Sequence, residues 1–296
     1  MGRPPGGDLA LIAVAVAAVS TAAPLIREAD APALAVAFWR NALAVAVLLP
    51  LTAARHRREA AALGRGERRG ALLAGVLLGA HFATWVPSLS FTTVASSVAL
   101  VATQPVWAAV LARLGGDEVP GRAWVGIGVA VAGAVLLTGV DLATSARALL
   151  GDGLALVGGM LAAGYVTVGA SVRRTVSTTV YTTVCYSTAA VILLAGCLAG
   201  GRPLSGYDGR TWLCLVALTV GPQLLGHSLV NRVLRTTSPT VVSVAILFEI
   251  VGSAFLAWAA FGEAPPAGAY PAAVLIAAGV VLVVSSEPAA AVPAVE

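Results

Sequence analysis

The sequence has no lysine, and charged residues fill only 11 % of its 296 positions. A soluble domain carries about 25 % charge, so a water-facing surface cannot be assembled from this chain. The same shortage excludes intrinsic disorder, which needs polar and charged sequence. No triplet or heptad pattern runs through it, which removes collagen-like and coiled-coil architectures. Its three cysteines, Cys185, Cys197 and Cys214, fall in or near apolar runs, and no pair has metal-ligand spacing. Signatures of catalysis are also missing: there is no Walker A loop, no HExxH, no GxSxG elbow and no carboxylate cluster for two metals. Direct ATP drive, enzymatic activity, a metal and a cofactor are therefore not expected. The basic residues are all arginine, which in so Ala-, Val- and Gly-rich a chain reads as base composition. They sit in loops between apolar runs, a poor pattern for binding nucleic acid.

What the chain does have is apolar length. Hydrophobic residues make up 58 % and the mean hydropathy is +0.91. A membrane-spanning helix takes about 20 residues. Ten apolar runs can be drawn, at 9–26, 32–52, 71–91, 95–114, 122–140, 152–171, 176–199, 211–231, 239–261 and 267–285. Turn and charge signals separate them, as at Gly115-Gly116-Asp117-Glu118, Gly200-Gly201-Arg202-Pro203 and Ala264-Pro265-Pro266. The first run has the look of a signal peptide, with Arg3 ahead of it and Thr21-Ala22-Ala23 after it. Nine further runs follow, so it reads as an uncleaved first helix. With the N-terminus in the cytoplasm, 13 arginines fall on the cytoplasmic side and 4 outside. The positive-inside rule then puts both termini in the cytoplasm and requires an even number of spans. The expectation is a multi-pass protein of a bacterial cytoplasmic membrane.

A shift of 145 residues aligns the two halves without a gap. Leu9-Ala10-Leu11 falls on Leu154-Ala155-Leu156, Thr92 on Thr237, and Glu118-x-Pro120 on Glu263-x-Pro265. Each half holds five runs, an odd number, so the second half must enter the membrane in the opposite sense. The expected fold is an all-α membrane protein of ten transmembrane helices in two inverted five-helix repeats, at 1–140 and 150–286, with 287–296 a short cytoplasmic tail. That arrangement is common in secondary transporters, whose sites lie at the midplane between the repeats.

Ala37-Phe38-Trp39-Arg40-Asn41, His81-Phe82-Ala83-Thr84-Trp85, Ser96-Ser97 through Thr103-Gln104-Pro105, and Gly226-His227-Ser228-Leu229-Val230-Asn231 occur in that order. With Glu118 and Glu263 after the fourth and ninth runs, the chain resembles the drug/metabolite transporter superfamily, specifically its EamA type. The resemblance implies ten helices, two EamA repeats and export or exchange of small metabolites or drug-like molecules by alternating access. It also implies a cavity lined by spans 1, 3, 4, 6, 8 and 9.

An ionisable group costs several kcal/mol in hydrocarbon, about 2.5–3.5 by insertion scales for Arg or Asp at mid-helix, so such residues face a cavity or a partner. Arg40 offers a fork of donors for a carboxylate or phosphate; a structural arginine that snorkels or bonds helix ends is the alternative. Glu249 lies midway along the ninth run, and the shift sets it on Gln104, midway along the fourth. Glu249 is the candidate for proton coupling, with packing by interhelical hydrogen bonds as the alternative. His81, with Trp85 one turn on, and His227, with Asn231 one turn on, are candidates for substrate contact or proton relay. Trp85, Trp107 and Tyr165 can form an aromatic wall. The expected partners are a small-molecule substrate and membrane lipids, with the oligomeric state open. A non-catalytic interaction protein and a membrane-embedded enzyme are the competing classes.

Overall fold

In lipid every backbone N–H and C=O must be satisfied within the segment, so apolar runs of this length become helices. The computed structural model describes residues 6–92, 97, 100, 101, 103–138, 145–261 and 269–286, and its regular elements are all helical. The first half comprises α1 (Gly6–Val19), α2 (Ala22–Glu28), α3 (Ala33–Arg55), α4 (Arg57–Ala62), α5 (Arg65–Ser88), α6 (Gln104–Leu114) and α7 (Gly121–Thr138). The second comprises α8 (Ala146–Val172), α9 (Thr178–Ala199), α10 (Gly209–Leu218), a π-helical segment (Thr219–His227), α11 (Ser228–Val233), α12 (Pro239–Ile246), α13 (Phe248–Phe261) and α14 (Ala269–Ser286). Six stretches are long and apolar enough to cross a membrane: Gly6–Glu28, Ala33–Arg55, Arg65–Ser88, Ala146–Val172, Thr178–Ala199 and Gly209–Val233. Shorter apolar helices cover Gly121–Leu136, Pro239–Ser253 and Tyr270–Ser286. Glu263 and the tail 287–296 lie outside the described residues.

The elements keep the 145-residue register. Shifted by 145, α3 becomes 178–200 against Thr178–Ala199, and α6 becomes 249–259, inside Phe248–Phe261. Helix α5 lies on α8 and α9, α3 lies on α9, and α7 lies on α14. The α7–α14 seam is nearly backbone on backbone. A Cβ added at Gly279 would stand 2.5 Å from the Gly126 carbonyl oxygen and 2.6 Å from Ala130 Cβ. Only glycine permits that approach.

Several runs expected as single helices are interrupted, each for an identifiable reason. Ser20 Oγ and Thr21 Oγ1 donate back to the Val16 and Ala18 carbonyls at 2.7 and 2.8 Å, a bonding pattern that bends helices. Pro24 then has no N–H for the Ser20 carbonyl, which accepts instead from Ser253 Oγ on α13 at 2.9 Å. The ninth run divides at Leu247 into α12 and α13, and the second part of the fourth run begins as α6 at Gln104. The eighth run widens into a π-helix around Pro222, which cannot supply an α-helical hydrogen bond. There α1 comes so close that a Cβ at Gly226 would meet Val19 Cγ1 at 2.6 Å. The basic stretch 53–70 is partly helical. Glu59 Oε1 accepts from the Ser177 amide at 2.6 Å and Glu67 Oε1 from Thr175 Oγ1 at 2.6 Å. Burial raises the Glu59 carboxyl, but the hydrogen bonds from Ser177 and His56 prevail and hold it below its ordinary value.

Candidate functional site

Six of the nine residues singled out from sequence are joined, through Phe82, by hydrogen bonds and ring contacts into one central buried cluster, and Glu249 is within electrostatic range of it. Arg40, on α3, is one of the largest fully buried side chains, at 1 % exposure. Its Nε donates to Gln223 Oε1 at 2.9 Å, and Gln223 Nε2 donates to Asn41 Oδ1 at 3.1 Å. The guanidinium lies over the Phe82 ring, 4.5 Å from its centroid. Its Nη2 is buried without a hydrogen-bond partner. The snorkelling alternative is therefore corrected: the side chain points inward, into a network with the π-helical segment.

His81 and Trp85, one turn apart on α5, stack at 5.6 Å with 12° between their planes. His81 Nδ1 lies 2.9 Å from the Gly158 carbonyl oxygen of α8. A carbonyl only accepts, so Nδ1 carries a hydrogen. Trp85 Nε1 is buried with no partner. Phe82 meets His227 edge to face at 5.8 Å, and Tyr165 of α8 lies 6.4 Å from His227. Tyr165 Oη donates to Asn231 Oδ1 at 2.8 Å, and Asn231 Nδ2 donates to Tyr186 Oη at 3.4 Å. Glu249, on α13, is half-buried and within electrostatic range of Arg40, with no ion pair between them.

Gln104 and Trp107 stand apart. Gln104 Nε2 donates to Ser243 Oγ of α12 at 3.1 Å, and Trp107 Nε1 donates to Thr103 Oγ1 at 3.2 Å. No hydrogen bond or ring contact ties either to the central cluster among the described residues. Gln104 thus braces α6 against α12, and Trp107 is held by the residue one turn before it. Gln104 and Glu249 nonetheless occupy matching places, each at the start of the second part of a divided run.

Four contributors were not singled out as site residues: Gln223, Asn41, Phe82 and Tyr186. Gln223 carried a signal, standing four residues before His227 as Asn231 stands four after. Tyr186 carried none, because only the packing of α9 brings its hydroxyl near Asn231. At one end of α3, Trp39 Nε1 donates to the Leu204 carbonyl at 2.9 Å and its ring meets Trp212 at 4.9 Å. A cavity of about 410 Å³ between α1, α12, α13 and α14 is lined by apolar residues apart from Ser20 and contains none of the cluster. Among the described residues no group of His, Cys, Asp and Glu suits a metal ion, and Cys185, Cys197 and Cys214 are free and buried. Glu118 is exposed in the loop after α6.

Comparison with known proteins bears on the whole chain. A solved crystal structure of a protein at 20 % identity superposes with a TM-score of 0.77, over 94 % of this chain and 96 % of that one. It is among 29 matching chains of solved structures. At that identity the likeness establishes the fold. No curated protein matches. The family model for EamA-like transporters matches twice, over residues 6–139 and 149–285. Two matches of that extent account for both halves and their apolar helices, and the chain belongs to the EamA-like transporter family, as a multi-pass membrane transporter.

Proposed function

We propose that the chain is a secondary transporter that exports or exchanges small metabolites or drug-like molecules by alternating access. In this reading ten helices form two inverted five-helix repeats, 1–140 and 150–286, in a bacterial cytoplasmic membrane with both termini inside. The tail 287–296 is cytoplasmic, membrane lipids surround the fold and no nucleic acid takes part. The observation that carries the reading is the central cluster. Arg40, His81 and Trp85 come from the first repeat, and Tyr165, His227, Asn231 and Glu249 from the second. A site assembled from both repeats changes shape when one rocks against the other.

Local structure supports the same reading. The π-helical segment carries Gln223 and His227 into the cluster, and such segments occur frequently at functional sites. Divided helices place Gln104 and Glu249 at equivalent breaks, the feature expected of transporter sites. Close contacts at Gly158 and Gly159 seat α8 directly on the first repeat: a Cβ at Gly158 would stand 3.1 Å from Trp85 Cβ of α5, and one at Gly159 3.0 Å from the Val101 carbonyl oxygen. Gly252 likewise seats α13 directly on Ser20. Gly164 is looser, with Leu77 Cδ1 at 3.4 Å from an added Cβ. Glu249, beside Arg40 in electrostatic terms, is the group suited to proton coupling.

The test is counterflow in proteoliposomes with a metabolite panel, with and without a proton gradient. Accumulation of at least one solute, accelerated by the gradient and slowed at least tenfold by Glu249→Gln, is expected. Full gradient-driven transport by Glu249→Gln would remove the coupling role. The absence of any carried solute would favour a non-transporting interaction protein.

A further inference from the structure

The two ends of the helix bundle use their charges differently. Where α3 finishes and α5 starts, Arg55, Arg57, Arg58, Arg65, Arg68 and Arg69 are all exposed. The acids of the same stretch are engaged elsewhere. Glu59 Oε1 accepts from the Ser177 amide, and its Oε2 lies 3.2 Å from His56 Nδ1. Glu67 Oε1 accepts from Thr175 Oγ1, and its Oε2 accepts from the Gly64 amide at 2.9 Å. Among the described residues none of these six arginines has an ion pair. At the opposite end Arg210 pairs with Glu28, and Arg147 donates to the Ser90 carbonyl at 3.1 Å.

The same hydrogen bonds bring further cations alongside. Thr175 and Ser177 belong to the turn between α8 and α9, which carries the exposed Arg174. In that turn the buried Arg173 donates from Nε to the Asn231 carbonyl at 2.8 Å. The end of α11, with Arg232 and Arg235 exposed, therefore stands beside it. Asp8 of α1 accepts from Thr236 and Thr237, next to Arg235, and pairs with no arginine among the described residues. Three loops from both halves of the chain thus form one basic collar whose neighbouring acids are already bonded to hydroxyls, a histidine or the backbone. The loop after α6 is different: it sets Arg113 and Arg122 against Asp117 and Glu118.

The collar sits at the depth of lipid headgroups. Arg55 is the last residue of one stretch long and apolar enough to cross a membrane, and Arg65 is the first of the next. Helix α4, between them, does not reach away from the bundle, since Ala60 and Leu63 pack on its apolar core. A guanidinium presents a planar fork of donors that matches a phosphate. Basic clusters next to a membrane-spanning helix attract anionic lipid.

We infer that this collar is a binding surface for anionic phospholipid. Arginines of the α3–α5 loop, together with Arg174, Arg232 and Arg235, hold headgroup phosphates of net negative charge in preference to zwitterionic ones. The headgroups supply the counter-charge that Glu59, Glu67 and Asp8 do not. Glu59 and Glu67 already tie the first half to the second here, so bound lipid tightens the same joint.

The test uses the full chain in detergent with dioleoyl phosphatidylglycerol and dioleoyl phosphatidylcholine, which share their chains and differ in net charge. Binding is read from the melting temperature across each lipid titration. Phosphatidylglycerol is expected to act at a concentration at least tenfold lower than phosphatidylcholine in about 50 mM salt, and the difference should shrink at least threefold in about 500 mM salt. Replacing Arg57, Arg58, Arg68 and Arg69 together by Gln should leave the melting temperature without lipid unchanged and cut the preference at least fivefold. Arg202→Gln, exposed at the other end, should keep it within twofold. Inorganic phosphate at matched ionic strength should not reproduce the shift. Equal action of the two lipids, a preference that survives in the fourfold variant, an equal loss in Arg202→Gln, or a shift produced by phosphate alone overturns the inference. If the fourfold variant does not fold, the two lipids and the salt dependence measured on the parent decide it: a preference unaffected by salt overturns it as well.

Discussion

The α7–α14 seam and the central cluster are built on opposite principles. At the seam, Gly126, Gly133 and Gly279 bring two backbones together, and a Cβ at Gly133 would stand 2.9 Å from the Ala272 carbonyl oxygen. At the centre, large polar and aromatic side chains bond and stack between helices. Close backbone packing is what associates helices in lipid, where there is no hydrophobic drive between them. A buried cation is costly to desolvate, so the bond of Arg40 to Gln223 and its contact with Phe82 add little net stability. Stability should therefore be concentrated at the seam and ligand response at the centre.

The largest effect should come from breaking the seam. Gly279→Val forces two methyls and a Cβ into backbone atoms, with an expected loss of about 3 kcal/mol or more, read as a collapse of the melting temperature in detergent. Gly128→Val on α7, where an added Cβ meets nothing within 4 Å, is the control. It should stay within about 0.5 kcal/mol of the parent. Equal losses in the two variants would mean that the seam is no special anchor.

Gln223→Leu tests the centre at the next level. It strips Arg40 Nε and Asn41 Oδ1 of a partner, at an expected cost of about 1–3 kcal/mol, and should reduce counterflow at least tenfold. A large thermal loss with normal counterflow would make the cluster a structural one. Tyr165→Phe removes a single interhelical hydrogen bond, worth about 0.6 kcal/mol on average in a membrane. Its melting temperature should hardly move while the counterflow rate falls severalfold.

The smallest effect lies outside both regions. Burial raises the Glu59 carboxyl, yet the Ser177 amide and the His56 ring hold it below its ordinary value. A depressed carboxyl contributes stability above its unfolded value and loses it as the pH falls through its folded value. Acidification through the carboxylate range should therefore lower the melting temperature slightly less in Glu59→Gln than in the parent.

Much of the candidate site was legible before any coordinates. Arg40, His81, His227 and Glu249 stand out because ionisable groups are rare in apolar runs, and rarity is a property of sequence. The stack of His81 on Trp85 follows from their spacing of four on one helix. Illegible were the partners that depend on helix rotation. Nothing in the chain links Tyr186 to Asn231, or Gln104 to Ser243, because those pairs are made across helices. Gln223 was half legible, since its spacing from His227 suits one helix face but its bond to Arg40 depends on the π-helical widening.

Composition and period alone determined that this chain lives in a membrane, that it is helical and that its halves repeat, since lipid leaves a long apolar segment few other backbone solutions. Tertiary structure alone decided where the helices break and turn. The Ser20 carbonyl that Pro24 leaves free is answered by Ser253, and the widening around Pro222 brings Gln223 to Arg40. Those choices depend on which neighbour can satisfy a freed backbone group, and that is a fact of three dimensions.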